Sequence, residues 1–231
     1  MGLSMEKVKA IFISHEHSDH INGLPVMAKK YSLPVFITPG TYANSGQQLP
    51  PSSLQWLKAL EPVWVGELCI TAFPKKHDAA DANSFIISSN GITVGVFTDI
   101  GSACNNVTQH FEKCHAAFLE SNYDHEMLEN GRYPVYLKNR IRGSHGHLSN
   151  KQALDIFTRF RPPFMTHLLL SHLSKDNNDP LLAQKLFEPH ALDTKIIVAS
   201  RYEATAVYSI SDADIVLKKV SESKPVQMAL F

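Results

Sequence analysis

Within the six residues His15-Glu16-His17-Ser18-Asp19-His20, three imidazoles and the carboxylate of Asp19 follow directly on an apolar stretch. Imidazole and carboxylate together suit zinc, manganese or iron. A tight turn at a strand end can aim His15 and His17 at one ion and Asp19 and His20 at a second. Four side chains cannot complete two coordination shells, so further ligands are needed from elsewhere. The candidates are His77 in Lys76-His77-Asp78, Asp99 after Thr98, and His172 after the apolar run 168–171. Each follows a predicted strand, as the first cluster does.

Hydrophobic periodicity and chain breakers supply the elements that would carry these residues. Strands are predicted over 9–14, 35–38, 67–73 and 164–171, and a hairpin over 84–88 and 93–98 turning at Asn90-Gly91. Helices are predicted after His20 through Lys30 and over 53–60, 103–113, 136–141 and 151–160. The last of these opens with Ser149 and Gln152 in capping-box spacing. Asp179-Pro180 starts a helix through Phe187, and 195–199 and 206–210 are predicted to close the chain as strands. Hairpin and αβ connections occurring together point to a layered α/β protein rather than a purely parallel sheet.

Composition narrows the function. The chain has 231 residues, 44% hydrophobic, enough for a substantial core in one domain. Lys plus Arg number 22 and Asp plus Glu 22, so any polyanion must be held by a local patch and not by the whole-molecule field. Three scattered cysteines exclude a disulfide framework and favour a reducing compartment. The N-terminus lacks a secretory apolar region and no later run approaches the roughly 18 apolar residues of a membrane span, so a cytoplasmic, membrane-free protein is expected. The 12 histidines are roughly twice the number usual for this length. His110, His115, His125, His167 and His190 are expected to be ordinary surface or core residues.

In chain order, HxHxDH, His77, Thr98-Asp99 and His172 resemble the ligand set of the metallo-β-lactamase superfamily over nearly the whole sequence. The runs KKHDA, TDIG, LESNYDHEML, NRIRGSHGHLSN and LSHLSKDNN are similar to its WalJ/YycJ-like branch, described as exonucleases that degrade duplex DNA from the 5′ end. The resemblance implies one α/β hydrolase domain over 1–231, a four-layer αββα sandwich. The superfamily pattern usually opens with a hairpin and a Gly-rich strand, whereas this chain begins almost at the helix leading to HxHxDH. The N-terminal strands are therefore expected to be absent, with a sheet edge exposed. Carried over by position, His15, His17 and His77 would hold one divalent ion, Asp19, His20 and His172 the other, with Asp99 bridging. Zn²⁺ or Mn²⁺ is expected, with iron also compatible.

Two ions about 3.5–4 Å apart can share a water, lower its pKa toward about 7 and polarise a phosphoryl oxygen for in-line attack. Phosphodiester hydrolysis on DNA, as a 5′ to 3′ exonuclease, is the expected activity. His147, just before a helix N-terminus, is the candidate general acid, with Glu120 orienting it and Asp19 completing the catalytic set. Transfer-RNA 3′-processing endonucleases carry similar Glu and Gly-His segments. Asn122 and His145 are candidates for supporting roles. The stretch 131–154 holds Arg132, Lys138, Arg140, Arg142 and Lys151 and no acidic residue, so this segment is expected to line a backbone-binding groove, and within it Arg142, Ser149 and Lys151 are candidate phosphate contacts. Lys175 and Asn177 add donors after His172, suited to phosphate oxygens and therefore to binding without sequence preference. The competing readings are a small-molecule phosphodiesterase, a thioester or lactam hydrolase, and a non-enzymatic metal-binding module.

Overall fold

In the computed structural model, which describes residues 4–210, the chain is organised on two sheets. The first is parallel, in the order β1 (Ile11–Phe12), β2 (Val35–Ile37), β3 (Leu54–Trp56). Between its strands run α1 (Ser18–Ile21), α2 (Leu24–Tyr31) and α3 (Pro39–Asn44).

The second sheet has seven strands. An antiparallel half comprises β4 (Pro62–Val65), β5 (Leu68–Pro74), β6 (Asn83–Ser89) and β7 (Ile92–Phe97). A parallel half continues from β7 through β8 (Ala116–Glu120) and β9 (His167–Ser171) to β10 (Lys195–Val198). Its connections hold α4 (Asn105–Phe111), α5 (His125–Asn130), α6 (Val135–Arg142), α7 (Asn150–Phe160) and α8 (Pro180–Phe187).

Three apolar cores make four layers of this. Ile21, Leu24 and Ala28 from the first helices pack on Val35 and Ile37 of the small sheet. Phe12 and Phe36 meet Ile70, Ala72 and Phe85 between the two sheets. On the far face, Phe73, Phe97 and Leu119 pack with Val107, Ile156, Phe157 and Phe187 from α4, α7 and α8. The order helix, sheet, sheet, helix is the expected αββα sandwich.

The β6–β7 hairpin turns where predicted, with Asn90 at φ 49° and Gly91 at φ 79°, the pair of positive angles that a two-residue turn needs to match strand twist. The helix predicted through Lys30 is broken in two, because Gly23 and Pro25 restart it.

Two predicted elements are corrected. Residues 53–60 do not form a helix. Pro50 and Pro51 stop the chain, and the free edge of β2 captures it as β3, with Val35 N–H donating to Ser53 O and Leu57 N–H to Ile37 O. Residues 206–210 do not form a strand. Tyr208 instead lays its ring 5.4 Å from His167, under the Lys195 ammonium. Strands β4 and β8 and helices α3 and α5 are additions to the prediction.

Helix α7 opens with a complete capping box. The Ser149 hydroxyl accepts from Gln152 N–H, and the Gln152 side chain accepts from Ser149 N–H. Ser149→Ala should lower the unfolding free energy by about 1 kcal/mol, read from urea denaturation. An unchanged midpoint would show that the cap contributes nothing.

Candidate metal centre

Because β7, β8 and β9 are parallel and β5 runs in the same direction as β7, their C-terminal ends open on one side of the sheet. Chain emerging there carries His77 after β5, Asp99 after β7, Glu120 at the end of β8 and His172 after β9. The segment after β1 delivers His15, His17, Asp19 and His20 to the same place, pinned where Asn83 N–H donates to Ser14 O at 2.9 Å. Asp99 and His172 both sit in the left-handed region, at φ 55° and 57°. For residues with a Cβ this is a strained corner of the kind that clusters at functional sites.

Hydrogen bonds fix which ring nitrogens face inward. A carbonyl can only accept, so His77 donates from Nδ1 to Gly146 O at 3.1 Å, and His17 donates from Nε2 to Asp78 O at 3.2 Å. Their other nitrogens, His77 Nε2 and His17 Nδ1, carry lone pairs and point at each other across 3.3 Å. His15 Nε2 is buried beside them without a hydrogen-bond partner, while its Nδ1 meets Ser14 Oγ at 3.0 Å. Two lone pairs facing each other at that separation, with the unpartnered His15 Nε2 buried beside them, are an arrangement that a cation lying among the three nitrogens would relieve. The separation decides the fit, since a tetrahedron with zinc–nitrogen bonds of about 2.0–2.1 Å has edges of about 3.3–3.4 Å. The outward nitrogens bonded to carbonyls are the usual support of ligating histidines.

A second set adjoins the first. His20 Nε2 lies 3.4 Å from Asp19 Oδ2 and 3.3 Å from Asp99 Oδ2, and His172 Nε2 lies 3.4 Å from Asp99 Oδ1. Despite that proximity, His20 Nε2 and Asp99 Oδ2 are buried with no hydrogen bond. Asp99 Oδ1 is also 3.8 Å from His77 Nε2, so this carboxylate stands between the two sets. Thus His15, His17 and His77 could hold one ion, and Asp19, His20 and His172 another.

Behind them lies Glu120, fully buried. Its Oε1 accepts from His147 Nδ1 and from His172 Nδ1, both at 2.8 Å, and its Oε2 accepts from the backbone N–H groups of Ile100 and Leu148. Glu120 could also be grouped with Asp99, His147 and His172 as a ligand, but both its oxygens are already occupied by donors. It orients two imidazoles and does not itself point into the centre.

The electrostatics agree with this division. Burial, with Lys75 adding to it, pushes His15 down to about 2, and burial pushes His77 down to about 4, so both are neutral and ready to ligate. Burial alone would raise Asp99 and Glu120, but the imidazoles around them, and Lys75 beside Asp99, hold both carboxyls below the usual range. Contact with His172 holds Asp19 low as well. Burial lowers His172, yet the carboxylates of Asp19, Glu120 and Asp99 overcome it and lift this imidazole to about 10. Lys75, its side chain sealed from solvent, donates to Thr98 O at 2.7 Å and is lowered by burial to about 8.

Comparison with known proteins gives this arrangement a family. A model of the β-lactamase superfamily domain matches residues 2–172. Exodeoxyribonuclease YycJ of Bacillus anthracis is 34% identical over 186 residues, covering 79% of this chain and 70% of its own. The chain belongs to the metallo-β-lactamase superfamily, in its WalJ/YycJ-like branch. Exodeoxyribonuclease WalJ of Streptococcus pneumoniae is 31% identical over 183 residues, 77% of this chain and 68% of that protein. Among solved structures, the metallo-β-lactamase fold protein YhfI from Bacillus subtilis superposes with a TM-score of 0.68 at 17% identity, over 88% of this chain and 79% of that one. Within the superfamily the chain is a metal-dependent hydrolase, and no helix among its described residues is long and apolar enough to cross a membrane.

Beside the metallo-β-lactamase centre lies a cleft of 590 Å³, lined by Asp19, His147 and His172 together with Asn122, Arg140, Lys175 and others. Of the substrate contacts expected from sequence, Asn122 and Lys175 line it, and Asn122 Nδ2 also donates to His172 O at 2.8 Å. The others are placed differently. Arg142 is taken up by Glu129 and Asn139, and Ser149 by its cap. Asn177 is buried, its side-chain amide near Ser174, and its backbone carbonyl accepts from Asp124 N–H. His145 contributes a carbonyl to Asp78 N–H, and Lys151 is exposed on α7 away from the lining. Arg142 and Ser149 are drawn off because nearer partners satisfy them first. Arg140, named in the sequence only as part of the basic stretch, lines the cleft; Tyr133 and Arg201 also line it, and Lys75 supports Asp99, without having been singled out in the sequence.

The raised His172 implies a linkage. Below about 10 the metal-free imidazole is protonated, and a divalent ion needs its Nε2 bare, so binding must expel that proton. Metal affinity should therefore rise with pH from neutrality toward about 10, with proton release visible by calorimetry in buffers of different ionisation enthalpy. Affinity that does not vary with pH would contradict this assignment of His172.

Proposed function

We propose that the chain, as a single hydrolase domain over residues 1–231, is a two-metal phosphodiesterase acting on DNA, an exonuclease degrading duplex ends 5′ to 3′. The observation that carries the reading is the facing of His17 Nδ1 and His77 Nε2 at 3.3 Å beside the unpartnered His15 Nε2, with Asp99 joining that set to a second. Relatives named exodeoxyribonucleases support DNA as the substrate.

In this reading His15, His17 and His77 hold one ion, Asp19, His20 and His172 the other, and Asp99 serves both; zinc or manganese suits the donor set. Bound there, the ions would supply Lewis-acid polarisation of a phosphoryl oxygen and acidify a water between them. The chain's own residues do the rest. Glu120 accepts the Nδ1 hydrogen of His147, so the form of His147 that acts as an acid is the imidazolium, with its second hydrogen on Nε2 and its charge balanced by the Glu120 carboxylate. As a water-derived oxygen bonds to phosphorus and the ester P–O bond breaks, the leaving alkoxide takes that proton from His147 Nε2, and His147 is left as the neutral imidazole still donating from Nδ1 to Glu120. Asn122, bonded to the carbonyl of His172, keeps that corner of the cleft in register. Gly146 permits the approach, because a Cβ there would lie 2.2 Å from the carbonyl oxygens of Arg140 and Ile141.

Asp19→Ala should lose both metal and cleavage of end-labelled duplex DNA. His147→Ala should keep its metal and lose about 10²- to 10⁴-fold in turnover, the usual weight of a general acid. If His147→Ala cuts at the wild-type rate, the proton has another source.

A further inference from the structure

Two arginines on α6 meet opposite fates. Arg142 commits its guanidinium to Glu129 and Asn139. Arg140 reaches the cleft shared by Asp19, His147 and His172, and only its Nε is engaged, donating to Asp78 Oδ2 at 2.5 Å. Its two Nη groups have no hydrogen-bond partner among the described residues.

Asp78 is held in its turn. Its N–H donates to His145 O at 2.9 Å, its carbonyl accepts from His17 Nε2 at 3.2 Å, and it directly follows His77. The residue that aims Arg140 is thus part of the frame that aims two metal-facing histidines.

A guanidinium with one edge fixed and the other free offers two coplanar donors in a set direction, which matches the paired non-bridging oxygens of a phosphate. Lys175 and Arg201 enter the same cleft from the segment after β9 and from the end of the described chain, so the wall is cationic from three sides of the sequence. Arg140 is 56% exposed and Asp78 29%, so as an ion pair alone the contact would contribute little to stability.

We propose that Arg140, oriented by Asp78, binds a phosphate of the polynucleotide next to the cut through its free Nη groups. Asp78 is then a positioning residue. The inference rests on the nuclease reading above, and its test separates the two.

The test measures steady-state cleavage of duplex DNA by the metal-loaded enzyme. It also measures binding of a phosphorothioate duplex that resists cutting, across a salt series. Arg140→Ala should raise KM and Kd about ten- to hundredfold, the weight of a charge-assisted hydrogen bond, with kcat, metal content and unfolding midpoint little changed. The slope of log K against log salt should fall by about one. Asp78→Ala should move KM the same way, and Asp78→Asn, which keeps an oxygen acceptor for Nε, should restore most of it. If Arg140→Ala cuts and binds like the wild type with the same salt slope, the inference is overturned and the nuclease reading stands. Loss of metal from Arg140→Ala would assign the residue to the metal centre and overturn it as well. A metal-loaded wild type that neither binds nor cuts DNA would bring down both.

Discussion

The carboxylate of Glu120 has no contact with water, and a charge in that position is tolerable only if every lone-pair direction finds a donor. It finds four: the N–H groups of Ile100 and Leu148 and the Nδ1 atoms of His147 and His172. These come from the segments after β7 and β9 and from the loop before α7, so one side chain at the end of β8 ties together every segment that builds the far wall of the centre. Exchange for a residue with no acceptor would deprive both Nδ1 atoms of their partner and leave two buried N–H groups without acceptors.

The same economy governs the strained corners. Asp99 and His172 adopt positive φ at the ends of β7 and β9, each a conformation costing about 1–3 kcal/mol for a non-glycine residue. Such corners persist only where their surroundings over-determine them. His172 is fixed at its ring by Glu120 and at its carbonyl by Asn122, and the Thr98–Asp99 corner by the Lys75 ammonium on Thr98 O. With Lys75 buried beneath Asp99, the centre carries a positive charge of its own below about pH 8, which helps hold the carboxylates of Asp99 and Glu120 together before any ion arrives.

Legibility in the sequence followed the range of the interactions. His15, His17, Asp19 and His20 are contiguous, so their convergence is local and readable. His77, Asp99 and His172 were readable once strand ends could be guessed, because parallel strands discharge their loops on one side. Strand β8 was not, since Ala-Ala-Phe-Leu-Glu has no β-branched residue and no alternation, and only burial between β7 and β9 makes it a strand. Lys75 reads as half of an exposed Lys-Lys pair until distant segments close over it. Arg140 and Arg142 are indistinguishable in a basic run, yet two residues on a helix turn a side chain by about 200°, which sends one into the cleft and the other to Glu129. Residues 53–60 and 206–210 were misread for a related reason, the availability of a sheet edge in one case and a tyrosine contact in place of pairing in the other.

The central claim is that two adjacent ions belong among seven side chains. Metal analysis after equilibrium dialysis against zinc or manganese, combined with anomalous diffraction from the loaded crystal, tests it most directly. The account predicts two ions per chain about 3.5–4 Å apart. One should be bound by His15 Nε2, His17 Nδ1 and His77 Nε2, and the other by Asp19, His20 and His172, with Asp99 reaching both. A single ion per chain, or one bound through His17 Nε2 or His77 Nδ1, would contradict it.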